Sequence, residues 1–193
     1  ANGAYIINDV RLLSNPLVTE SLPSILNNTL VAAGIDPNHI CLEITEDNAS
    51  LDFDQTIPLI ERCRAMGVAI ALDDFGTGYS SLQYLQRLKI DKLKVDRSFV
   101  NDIENEPSRS EFLKGILNIA HHMGISTVVE GIENQQQWDI VADHKAILIQ
   151  GYFAYKPMEL SHFLSVLVDQ LVQSEAKTSK DNILTINHML ASR

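Results

Sequence analysis

Two cysteines, Cys41 and Cys63, are all that this chain of 193 residues carries. One stands in a strand-like stretch and the other in a helix-like one, at a spacing that suggests neither a disulfide framework nor a zinc site. Buried, reduced thiols of a cytosolic protein are the expectation. No apolar run approaches the ~20 residues of a membrane span, so direct membrane insertion of this segment is not expected. Positive charge is scarce: 15 Lys and Arg face 25 Asp and Glu, a formal charge of −10. Bulk attraction to a nucleic-acid polymer or an anionic membrane is thereby disfavoured, although metal ions could still neutralise a phosphate ester against an acidic surface. Low-complexity tracts and internal repeats are absent. What remains, at 45% hydrophobic and 6% aromatic residues, is an ordinary globular composition, long enough for one domain with a substantial core.

The most informative stretch is Ala69-Ile70-Ala71-Leu72-Asp73-Asp74-Phe75-Gly76-Thr77-Gly78-Tyr79-Ser80-Ser81. An apolar run of strand character ends on two adjacent carboxylates. A loop follows with glycines able to take φ > 0 and serines able to open a helix. Adjacent aspartates repel each other unless a cation or a shared proton lies between them. A solvated acidic turn would account for the pair alone, so the other strands decide.

Those strands recur. Tyr5 to Asn8 reads as a strand ending on a polar residue, and Pro23 opens a helix with Leu26, Leu30 and Val31 on its apolar face and Gly34 as its stop. Ile40 to Glu46 is the next strand, followed by a helix from about Asp54 to Met66. After the Asp73-Asp74 strand come a short helix from Ser80 to Leu88 and a strand from Leu93 to Asp96. A helix with Phe112, Leu113, Ile116, Leu117 and Ala120 follows, capped by Ser108 or Ser110. Ile125 to Val129 leads to Glu130, a helix around Gln135 carries Trp138 into the packing, and Ala146 to Ile149 leads to Gln150. A last helical stripe runs through Leu160, Phe163, Leu164, Leu167, Leu171 and Val172. Residues 174–180 look linker-like, and residues 182–191 suggest one more amphipathic helix.

Six alternations of apolar strand and helix predict a parallel sheet clothed by helices, either doubly wound or a barrel of the (β/α)8, TIM-like type. The polar residues favour the barrel. Asn8, Glu43, Asp73, Asp74, Lys94, Asp96, Glu130 and Gln150 lie at or beside the C-terminal ends of all six strands, and a closed or nearly closed ring focuses all six on one spot. Such a mouth holds five carboxylates, an Asn, a Gln and a Lys. Its oxygen donors suit hard cations such as Mg²⁺ or Mn²⁺. Two cations ~3.5–4 Å apart, bridged by an aspartate, would serve in-line attack on a phosphodiester, with Lys94 as base or water-positioning group. A structural ion pair with Asp96 or Asp73 is the alternative for Lys94. The pair His121-His122 reads as a solvated helix end. Asp74-Phe75-Gly76 also spells a protein-kinase signature, but no Gly-rich loop or His-Arg-Asp segment accompanies it.

In order and spacing, Leu42-Glu43-Ile44-Thr45-Glu46, Asp73-Asp74-Phe75-Gly76-Thr77-Gly78-Tyr79-Ser80-Ser81, Leu93-Lys94-Val95-Asp96-Arg97-Ser98-Phe99-Val100, Val129-Glu130-Gly131-Ile132-Glu133 and Gln150-Gly151-Tyr152 resemble the EAL-domain family of cyclic di-GMP phosphodiesterases. These are bacterial enzymes that linearise a dinucleotide second messenger. The resemblance runs from about Ile6 to Met158. It implies an EAL barrel over residues 1–173 whose first strands are absent from the chain, with 174–193 as linker and C-terminal helix. Two cations, Mg²⁺ or Mn²⁺, are implied, one on Asn8, Glu43 and Asp73 and the second on Asp74 and Glu130 with Asp73 bridging. Lys94 and Glu46 fall in catalytic positions, Lys94 at the attacking water and Glu46 anchoring the loop after Asp74. Asp96, Gln150 and Gly151 fall in substrate-lining positions. Cyclic di-GMP is the implied substrate, linear pGpG the product, and a homodimer through the loop after Asp74 the implied assembly. The implied location is cytoplasmic, alone or as the cytoplasmic part of a larger sensor.

Two departures stand out. The Glu-Ala-Leu-type motif of an early strand does not precede Asn8, which suggests truncation. Asp9 and Val10 also stand where the family has a hydrophobic residue and a Ser. If the early glutamate is naturally absent, a non-hydrolysing cyclic di-GMP receptor becomes the alternative. More distant is a Mg²⁺-dependent barrel enzyme acting on an enolisable acid.

Overall fold

The computed structural model describes residues 8–11, 21–45, 53–76, 82–144 and 147–176. The expected strand start at Tyr5, Glu46, the loop 77–81 and the helix 182–191 lie outside the described residues. In chain order the elements are β1 (Asn8–Arg11), α1 (Leu22–Ala33), a 3₁₀ turn (Pro37–His39), β2 (Ile40–Thr45), α2 (Phe53–Ala65), β3 (Ala69–Phe75) and α3 (Leu82–Arg87). There follow β4 (Lys92–Val95), a second 3₁₀ turn (Arg97–Phe99), α4 (Pro107–His122), β5 (Ser126–Glu130), α5 (Gln135–Val141), β6 (Ile147–Gln150) and α6 (Leu160–Ala176).

All six strands are parallel and stand in sequential order from β1 to β6. A doubly wound sheet reverses its order at a switch point, and this one does not. The architecture is a partial TIM-like α/β barrel, with helices between consecutive strands.

Strand residues alternate faces, and the register carries that alternation across the sheet. Leu42, Ile44, Ile70, Leu72, Leu93, Val95 and Val129 share one face and are at most 4% exposed. They form one core with Leu59, Ile60 and Cys63 of α2 and Leu113, Leu117 and Ala120 of α4. Glu43, Asp73, Lys94 and Glu130 occupy the opposite face. Asp73 pairs with Thr45, two residues past Glu43. Lys94 pairs with Val128, two residues before Glu130. Each step of two preserves the face, so sheet geometry alone puts the four polar groups on one inner surface.

The ends of the helices follow local chemistry. Pro23 lies in the first turn of α1, and Gly34 closes it in the left-handed region at φ 64°. Serine capping of α4 is not observed. Pro107 starts that helix, Glu106 precedes it without a side-chain cap, and Ser110 is buried inside. A proline at the first helical position needs no amide partner and supplies helical φ, which sets the boundary. Val31 does not join the buried face of α1: it is 72% exposed, whereas Leu30 is buried. The final helix extends to Ala176, past the expected start of the linker at 174.

Candidate active site

The acidic pair on β3 presents a geometric problem, because successive residues of a regular strand point to opposite faces. The structure resolves it with a break in the β3–β4 register between Leu72 and Phe75 and a left-handed backbone at Asp74, φ 56°. A bulge of this kind re-aims one side chain without ending the strand. Asp73 keeps the inner face, Asp74 turns toward it, and Gly76 continues the turn at φ 99°. One carboxylate oxygen each from Asp73, Asp74 and Glu130 thereby falls within 4.8 Å of the others.

Lys94 rises from β4 into the same cluster. Its Nζ lies 2.6 Å from Glu43 Oε1, 2.9 Å from Asp73 Oδ1 and 3.0 Å from Glu130 Oε1, with the lysine side chain only 3% exposed. Burial works to lower the Lys94 pKa, but Glu130, Glu43 and Asp73 outweigh it and hold the ammonium well above the ordinary lysine range. Burial pushes the Glu130 carboxyl up, against the pull of Lys94, and Asp73 and Glu43 add to the rise. The two rises have different origins: the lysine's comes from its carboxylate neighbours, the glutamate's first from burial and then from Asp73 and Glu43.

Among the described residues, the Lys94 ammonium contacts Glu43, Asp73 and Glu130, and Asp74 adds a fourth carboxylate to the cluster. Gln150 pairs with Glu130 across β5 and β6, and its buried Oε1 finds no hydrogen-bond partner among the described residues. Clustered carboxylates and an orphaned amide oxygen form a donor set that fits a hard divalent cation.

The remaining expected residues are placed differently. Asn8 begins β1 rather than ending a strand, and it pairs with Ile40, three residues before Glu43. At ~3.3 Å per residue that is about 10 Å along the strand from the Glu43 level, which Arg11 occupies instead. The register therefore does not bring Asn8 to the cluster. Asp96 caps the Arg97–Phe99 turn by accepting from Ser98 N at 2.9 Å. Partial burial would raise its pKa, but the hydrogen bonds from Ser98 and Arg97 lower it overall. Gly151 is a packing glycine: a Cβ there would stand 2.1 Å from Ile132 O. That closeness lets the β5 and β6 ends interlock, with Gly131 N donating to Gln150 O at 2.7 Å and Phe153 N to Ile132 O at 3.0 Å.

A second network, of Glu104, Glu133, Asn134 and Gln137, ties the segment after β5 to the start of α5. Asn134 caps α5 by accepting from Gln137 N at 2.9 Å. The buried Gln137 side chain accepts from Glu133 N at 2.8 Å, and its Nε2 lies 3.5 Å from Glu104 Oε2. Asn134 followed three residues later by Gln137 is the capping-box spacing, the sequence signal that could have found this brace.

Fold and site together define a class: a parallel α/β barrel whose strand ends gather acidic groups around a buried lysine, a donor set suited to divalent cations. The chain belongs to the EAL domain family, which matches residues 2–157. It is 41% identical over 152 residues to the cyclic di-GMP phosphodiesterase NbdA of Pseudomonas aeruginosa, covering 79% of this chain and 19% of that protein. It is 34% identical over 140 residues to the bifunctional diguanylate cyclase/cyclic di-GMP phosphodiesterase MucR of the same organism, covering 72% and 20%. The chain thus spans about a fifth of the length of these relatives. Among solved structures, the PaMucR phosphodiesterase in complex with c-di-GMP superposes at TM-score 0.74 and 32% identity over 80% of this chain and 63% of that one. The manganese/cy-diGMP complex of Klebsiella pneumoniae BlrP1 superposes at 0.65 and 31%, over 75% and 37%.

Proposed function

We propose that the chain is a metal-dependent phosphodiesterase that hydrolyses cyclic di-GMP to linear pGpG in bacterial second-messenger signalling. The observation that carries this reading is the convergence of Asp73, Asp74 and Glu130 within 4.8 Å beside the buried Lys94 ammonium. Glu43, Asp73, Asp74 and Glu130 are the residues that would hold two cations, Mg²⁺ or Mn²⁺. The set leaves out Asn8, which pairs with Ile40, three residues before Glu43. When bound, such cations supply charge neutralisation at the phosphodiester and acidify water. Lys94, protonated at Nζ and fixed by its carboxylate partners, orients an attacking water or a phosphate oxygen by donating hydrogen bonds rather than by removing a proton. Gln150 offers a buried acceptor beside Glu130 to the ligand.

The wider reading assigns residues 1–173 to the EAL domain and 174–193 to a linker and C-terminal helix. It assigns Glu46 to the loop after Asp74, a homodimer to that same loop, and a cytoplasmic location to the chain. No helix among the described residues is long and apolar enough to cross a membrane. The test is incubation with cyclic di-GMP and Mn²⁺ or Mg²⁺, with chromatography for pGpG. Metal-dependent product supports the proposal, binding without turnover replaces it with a receptor, and neither binding nor turnover removes both.

A further inference from the structure

The 3₁₀ turn Arg97–Phe99 leaves the end of β4, the strand between β3 and β5, and so emerges between the two loops that begin just after the acidic residues. It is tightly tied. Asp96 accepts from Ser98 N at 2.9 Å, Phe99 N donates to Asp96 O at 3.1 Å, and Val100 N and Asn101 N donate to Arg97 O at 2.9 and 3.0 Å. Its side chains press on a glycine at either side. A Cβ at Gly76, two residues after Asp74, would stand 2.0 Å from Phe99 Cε2 and 2.1 Å from Cζ. A Cβ at Gly131, the residue after Glu130, would stand 2.5 Å from Arg97 Cβ and 3.2 Å from Arg97 Cα. Both glycines have positive φ, 99° and 77°. At each, the backbone is turned so that the 3₁₀ turn can come into direct van der Waals contact. Behind, the Phe99 ring stacks on Phe112 of α4 at 5.9 Å and 12° between planes, which backs it against retreat.

We infer that the Arg97–Phe99 turn is a brace that sets the separation of Asp74 and Glu130, with Phe99 and Arg97 as positioning residues for the cation site. The inference rests on the proposed function. Asp73 and Asp74 share one strand, so their approach is fixed locally by the bulge. Asp74 and Glu130 come from strands separated by β4, and the turn, seated against Gly76 and Gly131, bears on the backbone beside both. The Asp96 cap holds the body rigid, Phe99 sets it against the β3 loop and Arg97 against the β5 loop. Removing the Phe99 ring leaves a space into which Gly76 and its left-handed turn can relax, and Asp74 moves with them. Supporting residues one step behind ligands act on affinity in this way, commonly by 10–100-fold.

The test is Mn²⁺ binding to the 193-residue chain, followed by electron paramagnetic resonance of free Mn²⁺, for the parent and Phe99→Ala. Thermal unfolding and far-UV circular dichroism in EDTA are measured alongside. The brace predicts that folded Phe99→Ala binds Mn²⁺ at least about tenfold more weakly than the parent. A merely structural ring would lower the melting temperature and leave the affinity of the folded chain unchanged, and that result overturns the inference. Should Phe99→Ala not fold, Gly131→Ala gives the same reading, since its Cβ would force the Arg97 backbone and Glu130 apart. Weakened binding supports the brace, and parental affinity overturns it. Absence of Mn²⁺ binding by the parent overturns the functional reading, and the brace with it.

Discussion

Burying an ammonium is costly, and Lys94 is held at 3% side-chain exposure only because Glu43, Asp73 and Glu130 surround it at 2.6–3.0 Å. Removing it leaves buried negative charge without compensation. Lys94→Ala is therefore expected to lose turnover and, in EDTA, to lose about 3 kcal/mol of stability, part of which Mn²⁺ restores; denaturant unfolding with and without the ion measures both. Asp74→Asn removes one of the carboxylates of the cation set and is expected to lose turnover and to weaken Mn²⁺ binding, read by the product assay and by free Mn²⁺. The pH dependence follows from Glu130, whose folded pKa is raised above its ordinary 4.5. A raised pKa means the folded chain holds the proton more tightly, so this contribution is full below 4.5 and lost as pH rises through the folded value. In EDTA, Glu130→Gln is expected to flatten that decline, and a melting-temperature series across pH reads it directly.

Elements differ in how openly they write themselves into sequence. The strands of the sheet read as near-continuous apolar runs and the helices as 3.6-residue stripes, so alternation and parallel class were legible. The strand ends were legible as chemistry, because Glu43, Asp73, Asp74, Lys94, Glu130 and Gln150 each follow an apolar run. What could not be read was backbone conformation at single positions. Asp73-Asp74 before Gly76 does not say which residue turns left-handed, and without that turn the two carboxylates would face opposite ways. Asn8 could close one strand or open another, and its register chose the second. Asp96, a site-lining position by the family resemblance, also caps the turn after β4, which its place in the sequence does not announce. Asp96→Ala is expected to cost about 1 kcal/mol. With its pKa lowered on folding, that cost is present above the ordinary carboxylate pKa and disappears as pH falls through the folded value. Glycines give a contrast within one chain. Gly115, inside α4 with no neighbour among the described residues within 4 Å of a Cβ, is expected to gain roughly 0.5–1 kcal/mol as Gly115→Ala, whereas Gly151→Ala meets Ile132 O at 2.1 Å and should lose about 1–3 kcal/mol.

For the molecule as a whole, net charge and fold work together. A chain of −10 repels phosphates at long range, so the account assigns recognition of a phosphodiester to the few ångströms where cations bridge like-charged partners. The arc of sequential parallel strands makes that possible by putting one group from each of β2, β3, β4, β5 and β6 on a single inner face. The most direct measurement is the product formed from cyclic di-GMP by this chain with Mn²⁺ and again in EDTA. The account predicts linear pGpG with Mn²⁺ and none in EDTA. Unchanged cyclic di-GMP in both, together with no Mn²⁺ bound, would contradict it.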